Sequence, residues 1–127
     1  LLEEIATVPP LLLDARRISQ VLYNLLTNAI RYTPENGEVR ISTRTLSRTG
    51  SDWLQISVRD NGCGIAAADL PYIFEHFYRA DKSRDKKSGG SGIGLAIVKQ
   101  LVEIHGGFVE AHSEEGKGCQ FDVFLPL

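Results

Sequence analysis

Gln20 to Tyr32 reads Q-V-L-Y-N-L-L-T-N-A-I-R-Y, an apolar helix with two asparagines four residues apart on its polar side and Arg31 and Tyr32 a turn further on. Residues at i, i+4 and i+7 or i+8 share one helical face. Asn24, Asn28 and Arg31 therefore offer two amides and a guanidinium to a common point, a donor set suited to a metal-bound polyphosphate. A solvated polar face is the competing reading. Asparagine is a poor helix former that belongs at caps and turns, so two in one mid-helix row need a reason.

Outward from this segment the pattern alternates between helix and strand periods. Asp14 is the expected N-cap, and Ile18, Val21, Leu22, Leu25, Leu26, Ala29 and Ile30 repeat at helical spacing until Thr33-Pro34 stops them. Before the cap, Pro9-Pro10 and Leu11 to Leu13 predict an extended lead-in. Val39, Ile41 and Thr43 alternate with charged residues, as do Leu54, Ile56 and Val58, with Arg48 to Asp52 as a turn between them. That is a hairpin with one face in water. A second helix runs from Ile93 to Ile104 and stops at Gly106-Gly107. Phe108 to Ala111 and Phe121 to Leu125 are two further strands. The expected fold is α+β, a two-layer sandwich with about three helices on one face of a mixed, mostly antiparallel sheet.

Between Ala80 and Ile93 the chain is polar and aperiodic, with Lys82, Arg84, Lys86 and Lys87 offset only by Asp81 and Asp85. A linker is the bland reading, but a loop this long inside a domain is usually functional. It runs into Gly89, Gly90, Gly92 and Gly94, where backbone can approach a ligand and a helix N-terminus favours an anion. A mobile lid over phosphates is the expectation. The order G-G-S-G-I-G after a polar loop fails the dinucleotide fingerprint, and Gly116-Lys117-Gly118 fails the G-K-[ST] of a Walker loop.

At Asp60 to Ile65 the chain reads D-N-G-C-G-I. A buried carboxylate at a strand end can accept from an exocyclic amine, and glycines beyond it leave room for a flat base. Alone, the segment would be an ordinary turn. With I-F-E-H-F-Y-R (Ile73 to Arg79), S-G-G-S-G-I-G-L (Ser88 to Leu95) and G-K-G-C-Q-F (Gly116 to Phe121), it completes a set of five segments that begins at Gln20. Their order and spacing resemble the N, G1, F, G2 and G3 boxes of the ATP-binding catalytic domain of sensor histidine kinases. These domains have the Bergerat fold and belong to the GHKL superfamily with gyrase and the heat-shock and mismatch-repair ATPases.

The resemblance implies ATP and Mg²⁺ as ligands. Asp60 then takes the adenine amine, with Gly62, Gly64 and Ile65 around it, and Tyr32 packs near base or ribose. Asn28 is the Mg²⁺ ligand and Arg31 meets the phosphates. Phe74, Phe77 and Arg79 belong to the box that anchors the lid and docks the acceptor helix. Gly90, Gly92, Ile93, Gly94 and Leu95 line the phosphate side, and Gly118 and Cys119 complete the pocket. Hydrolytic relatives carry a glutamate where this chain has Asn24, which is no general base at neutral pH. ATP is then held without efficient attack by water, so Asn24 and Arg31 act by positioning. A non-catalytic nucleotide module and a slow gyrase-type ATPase are the alternatives, disfavoured by the intact contact positions and by Asn24.

A kinase of this kind needs a phosphoacceptor histidine with an acidic neighbour, and His76, His105 and His112 all lack that setting; each is expected to be structural. The acceptor belongs to a separate dimerisation domain, and a response regulator receiver domain is the implied downstream partner. Cys119 stands in for the frequent Thr or Ser of its box, and His76 for the usual Arg or Pro of its own.

Bulk properties agree. The chain has 127 residues, 43% hydrophobic and 24% charged, enough for one core, and 1–127 is expected to be a single excised domain. A net charge of −2 argues against a general nucleic-acid surface. No apolar run is long enough to span a bilayer and no charged leader precedes Leu1, so a cytoplasmic domain is expected, with the whole protein either soluble or membrane-anchored. The domain alone should be monomeric and the whole protein a homodimer. Two cysteines far apart in sequence make reduced thiols the default.

Overall fold

The computed structural model describes residues 2–5, 14–75 and 94–127. Helix α1 (Ala15–Tyr32) begins where Asp14 Oδ1 accepts the N–H groups of Arg16 and Arg17 at 3.1 and 3.3 Å. This satisfies two of the donors that a helix start leaves open. It ends at Thr33, whose backbone is extended ahead of Pro34 and whose Oγ1 donates to Ala29 O at 2.6 Å. Helix α2 (Gly94–Ile104) closes with Gly107 N–H on Val102 O at 3.0 Å and Gly106 N–H on Glu103 O at 2.9 Å. This is the Schellman pairing that the Gly-Gly stop predicts.

The sheet has five strands in the order β1-β2-β3-β5-β4: β1 (Leu2–Ile5), β2 (Val39–Arg48), β3 (Ser51–Asp60), β4 (Phe108–Glu114) and β5 (Gly118–Pro126). Only β1 runs parallel to its neighbour; the other three pairings are antiparallel. The sheet is thus mixed and mostly antiparallel, as expected. Both helices pack on one face, where Val21, Leu25, Ala29, Val98 and Val102 meet Val58, Phe121, Val123 and Leu125. These side chains are essentially excluded from water. Burying each of the Val, Leu and Phe side chains fully contributes on the order of 1.5–3 kcal/mol.

Several expectations change. Strand β1 was not foreseen, because L-E-E-I is short and pairs in parallel with a partner far along the chain. Among the described residues there are two α-helices and a 3₁₀ turn at Leu70–Tyr72; the expectation of about three helices also takes in residues outside these. The hairpin turn is only Thr49-Gly50, since Ser47 pairs with Asp52 and Arg48 with Ser51 in the ladder. Strands β4 and β5 also run longer than their apolar cores suggested. The wet face of the hairpin is partly closed as well: Gln55 and Ser57 are buried on the side away from the helices. Neighbouring polar side chains cover it, with Arg44 Nε donating to Gln55 Oε1 at 2.8 Å and Gln55 Nε2 to Ser57 Oγ at 3.2 Å. The Pro9 to Leu13 lead-in lies outside the described residues.

Candidate nucleotide site

Asp60 ends β3 in the middle of the sheet, paired with Val39 on one side and Cys119 on the other. Its side chain is buried, and Oδ1 accepts Gly62 N–H at 2.9 Å. Burial pushes the carboxyl above its ordinary range, and the N–H groups of Gly62 and Cys119 pull part of the way back. A desolvated acceptor at a strand end is what an amine donor requires.

The turn after Asp60 is stitched to every other element of this corner. Cys63 N–H donates to Tyr32 O at 3.3 Å, which ties the turn to the end of α1. Gly116 N–H donates to Cys63 O at 2.7 Å, which ties it to the β4–β5 turn. Asn61 Oδ1 accepts Glu38 N–H at 2.8 Å, which ties it to the start of β2. Farther along α1, Asn24 Nδ2 donates to Gly94 O at 3.2 Å, joining the asparagine row to the start of α2. Phe74 stacks edge-on against Phe121, ring centres 6.0 Å apart, and so links its segment to β5. The described residues of the five sequence motifs are thus joined by contacts among α1, α2, the turn after β3 and β5.

The glycines have a more specific reason than room for a base. A Cβ at Gly62 would lie 2.1 Å from Tyr32 O, at Gly64 2.3 Å from Glu114 O, and at Gly118 2.1 Å from Asp60 O. Backbone carbonyls occupy those spaces, so the corner is built by main chain against main chain. Gly118 also has φ +116°, which L side chains rarely adopt.

Asn24, Asn28 and Arg31 are half-buried on α1, and Tyr32 is more open. Ile65 and Leu95 are half-buried and pack against the core. Cys119 lies buried opposite Asp60, its thiol pushed up to about 12 by burial first and then by the Asp60 charge, with Cys63 close enough to add to the shift. Cys63 is exposed. His76, Phe77, Arg79, Gly90, Gly92, Ile93 and the lid segment 81–91 lie outside the described residues.

Sequence reasoning missed Ser113. Its Oγ accepts Ile65 N–H at 2.6 Å and donates to Gly118 O at 3.1 Å, and in the register it faces Cys119. It supplies from β4 a hydroxyl of the kind that Cys119 lacks; its alternation with Val109 and Ala111 was the available signal. His105 has the structural role expected of it: Nδ1 is 2.8 Å from Leu101 O, and Nε2 accepts Asp14 N–H at 3.3 Å, clamping the end of α2 to the start of α1. The donor set fits a nucleotide with its metal: a buried carboxylate for an amine, the hard amide oxygen of Asn28 for Mg²⁺, and Arg31 for phosphate.

Residues 13–127 match the family described as histidine kinase-, DNA gyrase B-, and HSP90-like ATPase. The sensor histidine kinase WalK of Bacillus subtilis is 45% identical over 114 residues, 90% of this chain and 18% of that protein. The hybrid signal transduction histidine kinase D of Dictyostelium discoideum is 36% identical over 135 residues, 90% of this chain and 9% of that protein. The chain thus spans less than a fifth of these relatives. Among solved structures, full-length ShkA in complex with AMPPNP superposes with TM-score 0.78 at 34% identity, covering 98% of this chain and 25% of that one. The mycobacterial sensor histidine kinase MprB gives 0.77 at 28%, covering 98% and 82%.

Proposed function

The chain belongs to the histidine kinase-, DNA gyrase B- and HSP90-like ATPase family, and we propose that it is the ATP-binding half of a sensor kinase. In this reading it binds Mg-ATP and holds the γ-phosphate toward a histidine on the dimerisation domain of its own kinase. The phosphoryl group then passes to a response regulator receiver domain. The whole protein is a homodimer, and 1–127 acts as a single domain on the cytoplasmic side.

The observation that carries the proposal is the convergence at Asp60, where α1, the turn after β3 and the β4–β5 turn are joined by direct hydrogen bonds. Asp60 accepts the adenine amine, which a guanine carbonyl cannot replace. Asn28 holds Mg²⁺ through its amide oxygen, and Arg31 faces the phosphates. Bound Mg²⁺ neutralises phosphate charge. Asn24 fixes the start of α2 through Gly94 O and offers no base to water. What the chain supplies to transfer is position and charge, which suffices for phosphoryl transfer once an acceptor is present.

The test is reconstitution. With labelled Mg-ATP, the chain alone should form no phosphohistidine on His76, His105 or His112, and adding the kinase's own dimerisation domain should place acid-labile label on that partner. Stable label on the isolated chain would contradict the division of labour.

A further inference from the structure

On the sheet face opposite α1 and α2, a second cluster lies apart from the nucleotide corner. Glu110 and His112 alternate onto this face of β4, and Asp122 of β5 sits opposite Glu110 in the register. His112 Nε2 is 3.5 Å from Asp122 Oδ2 and 3.7 Å from Glu110 Oε1, and one donor atom from each residue falls within 4.8 Å of the others. Donors bound to a tetrahedral zinc at ~2.0–2.1 Å stand about 3.3 Å apart. The three side chains are thus a small contraction away from sharing one ion.

Each carboxylate is already oriented by its other oxygen. Ser57 Oγ and Gln120 Nε2 donate to Asp122 Oδ1 at 2.5 and 2.9 Å, and Arg48 donates to Glu110 Oε2 at 2.9 Å. Asp122 is only 3% exposed, and its Oδ2 faces the imidazole of His112, which is 63% exposed. Glu110, His112 and Asp122, with Arg48 and Gln120, line a groove of about 410 Å³. Hydrogen bonds behind metal ligands fix their orientation and raise affinity. One imidazole with two carboxylates suits zinc and similar transition cations; Mg²⁺ prefers all-oxygen sites and keeps its waters.

We propose that Glu110, His112 and Asp122 form a binding site for a divalent transition cation of the zinc class, its fourth position open to solvent along the groove. The cation would pin edge strand β4 to β5 on the face opposite Cys119 and Phe121.

Calorimetric titration of the metal-free 127-residue chain with Zn²⁺, repeated with Mg²⁺, tests this. One Zn²⁺ per chain is expected, with no Mg²⁺ uptake in the absence of nucleotide. His112→Ala, at an exposed position that leaves the core intact, should weaken Zn²⁺ by about tenfold or more, and Ser57→Ala, one step behind the ligand, by about tenfold. His76→Ala and Cys63→Ser should leave the affinity unchanged. Bound Co²⁺ should give tetrahedral visible bands that vanish in His112→Ala. No saturable Zn²⁺ uptake would overturn the site. Uptake that survives His112→Ala but is lost with His76→Ala or Cys63→Ser would overturn it equally.

Discussion

The two sides of β5 are held by different means. At the Asp60 corner, carbonyls of Tyr32, Glu114 and Asp60 fill the places where side chains would begin, and glycine is the residue that fits. On the face opposite α1 and α2, order comes from side chains: Arg44, Gln55, Ser57 and Asp122 run as a chain of hydrogen bonds, and the Arg48 guanidinium lies 5.3 and 5.1 Å from the ring centres of Phe108 and Phe124. A main-chain corner cannot relax around an added methyl group. A side-chain network can lose one member and keep its shape.

The largest expected effect breaks the corner outright. Gly118→Ala puts a Cβ against Asp60 O at a φ that L residues avoid, and should destabilise by about 3 kcal/mol or more. Gly116→Ala shares the positive φ but has open space around it, so only the backbone cost of roughly 1–2 kcal/mol should appear in urea unfolding. Equal losses at the two positions would mean that close approach is not what orders the corner.

Next comes the base contact. Asp60→Ala should weaken ATP and ADP alike by about 1.5–3 kcal/mol, the range for a hydrogen bond with a charged partner, and the parent should bind GTP poorly. Equal affinity of the parent for ATP and GTP would remove Asp60 from that role. The same residue gives a pH signature. Its folded pKa is raised, so its contribution to stability is full below the unfolded value and is lost as pH rises through the folded one. Asp60→Asn should therefore gain on the parent over that rise and level off above it. A difference that does not vary with pH would contradict a desolvated carboxylate.

A smaller effect is expected across the sheet. Ser57→Ala removes one of two donors to Asp122 Oδ1, and with Gln120 still in place it should cost about 1–1.5 kcal/mol in urea unfolding without changing ADP affinity. Lost ADP affinity in that variant would show that the two faces are not independent.

The smallest effect concerns the thiols. Cys63 is exposed beside the Asp60 turn, and Cys119 is buried with its thiol held protonated at neutral pH. Alkylation should occur at Cys63, slow several-fold with Mg-ADP, and lose that protection in Asp60→Ala. Modification of Cys119 at a comparable rate would contradict its burial.

Much of this was legible in the sequence because it was local. Asp14, the apolar period through Ala29 and the Gly106-Gly107 stop are read within one helix, and the hairpin within twenty or so residues. The motifs at Asn24, Asp60 and Phe74 were visible as residue types in order. What was not legible depends on long-range pairing. Strand β1 needs a parallel partner more than thirty residues away, and Ser113 becomes part of the corner only because β4 folds back onto β5. The glycines were seen, but their reason lay in carbonyls that no spacing rule brings near. The buried Gln55, Ser57 and Asp122 were hidden by alternation itself, which marks the outer face of a sheet as wet whether or not side chains of neighbouring strands close over it.

The direct measurement is a map of amide shift changes when Mg-ADP is added to the ¹⁵N-labelled chain. The largest changes should fall at Asn28, Arg31, Asp60 to Ile65, Gly94, Leu95 and Gly118, with Glu110 and Arg44 nearly still. Changes concentrated along Arg44, Glu110 and Gln120, with the Asp60 turn unmoved, would put the nucleotide on the other face and contradict the site described here.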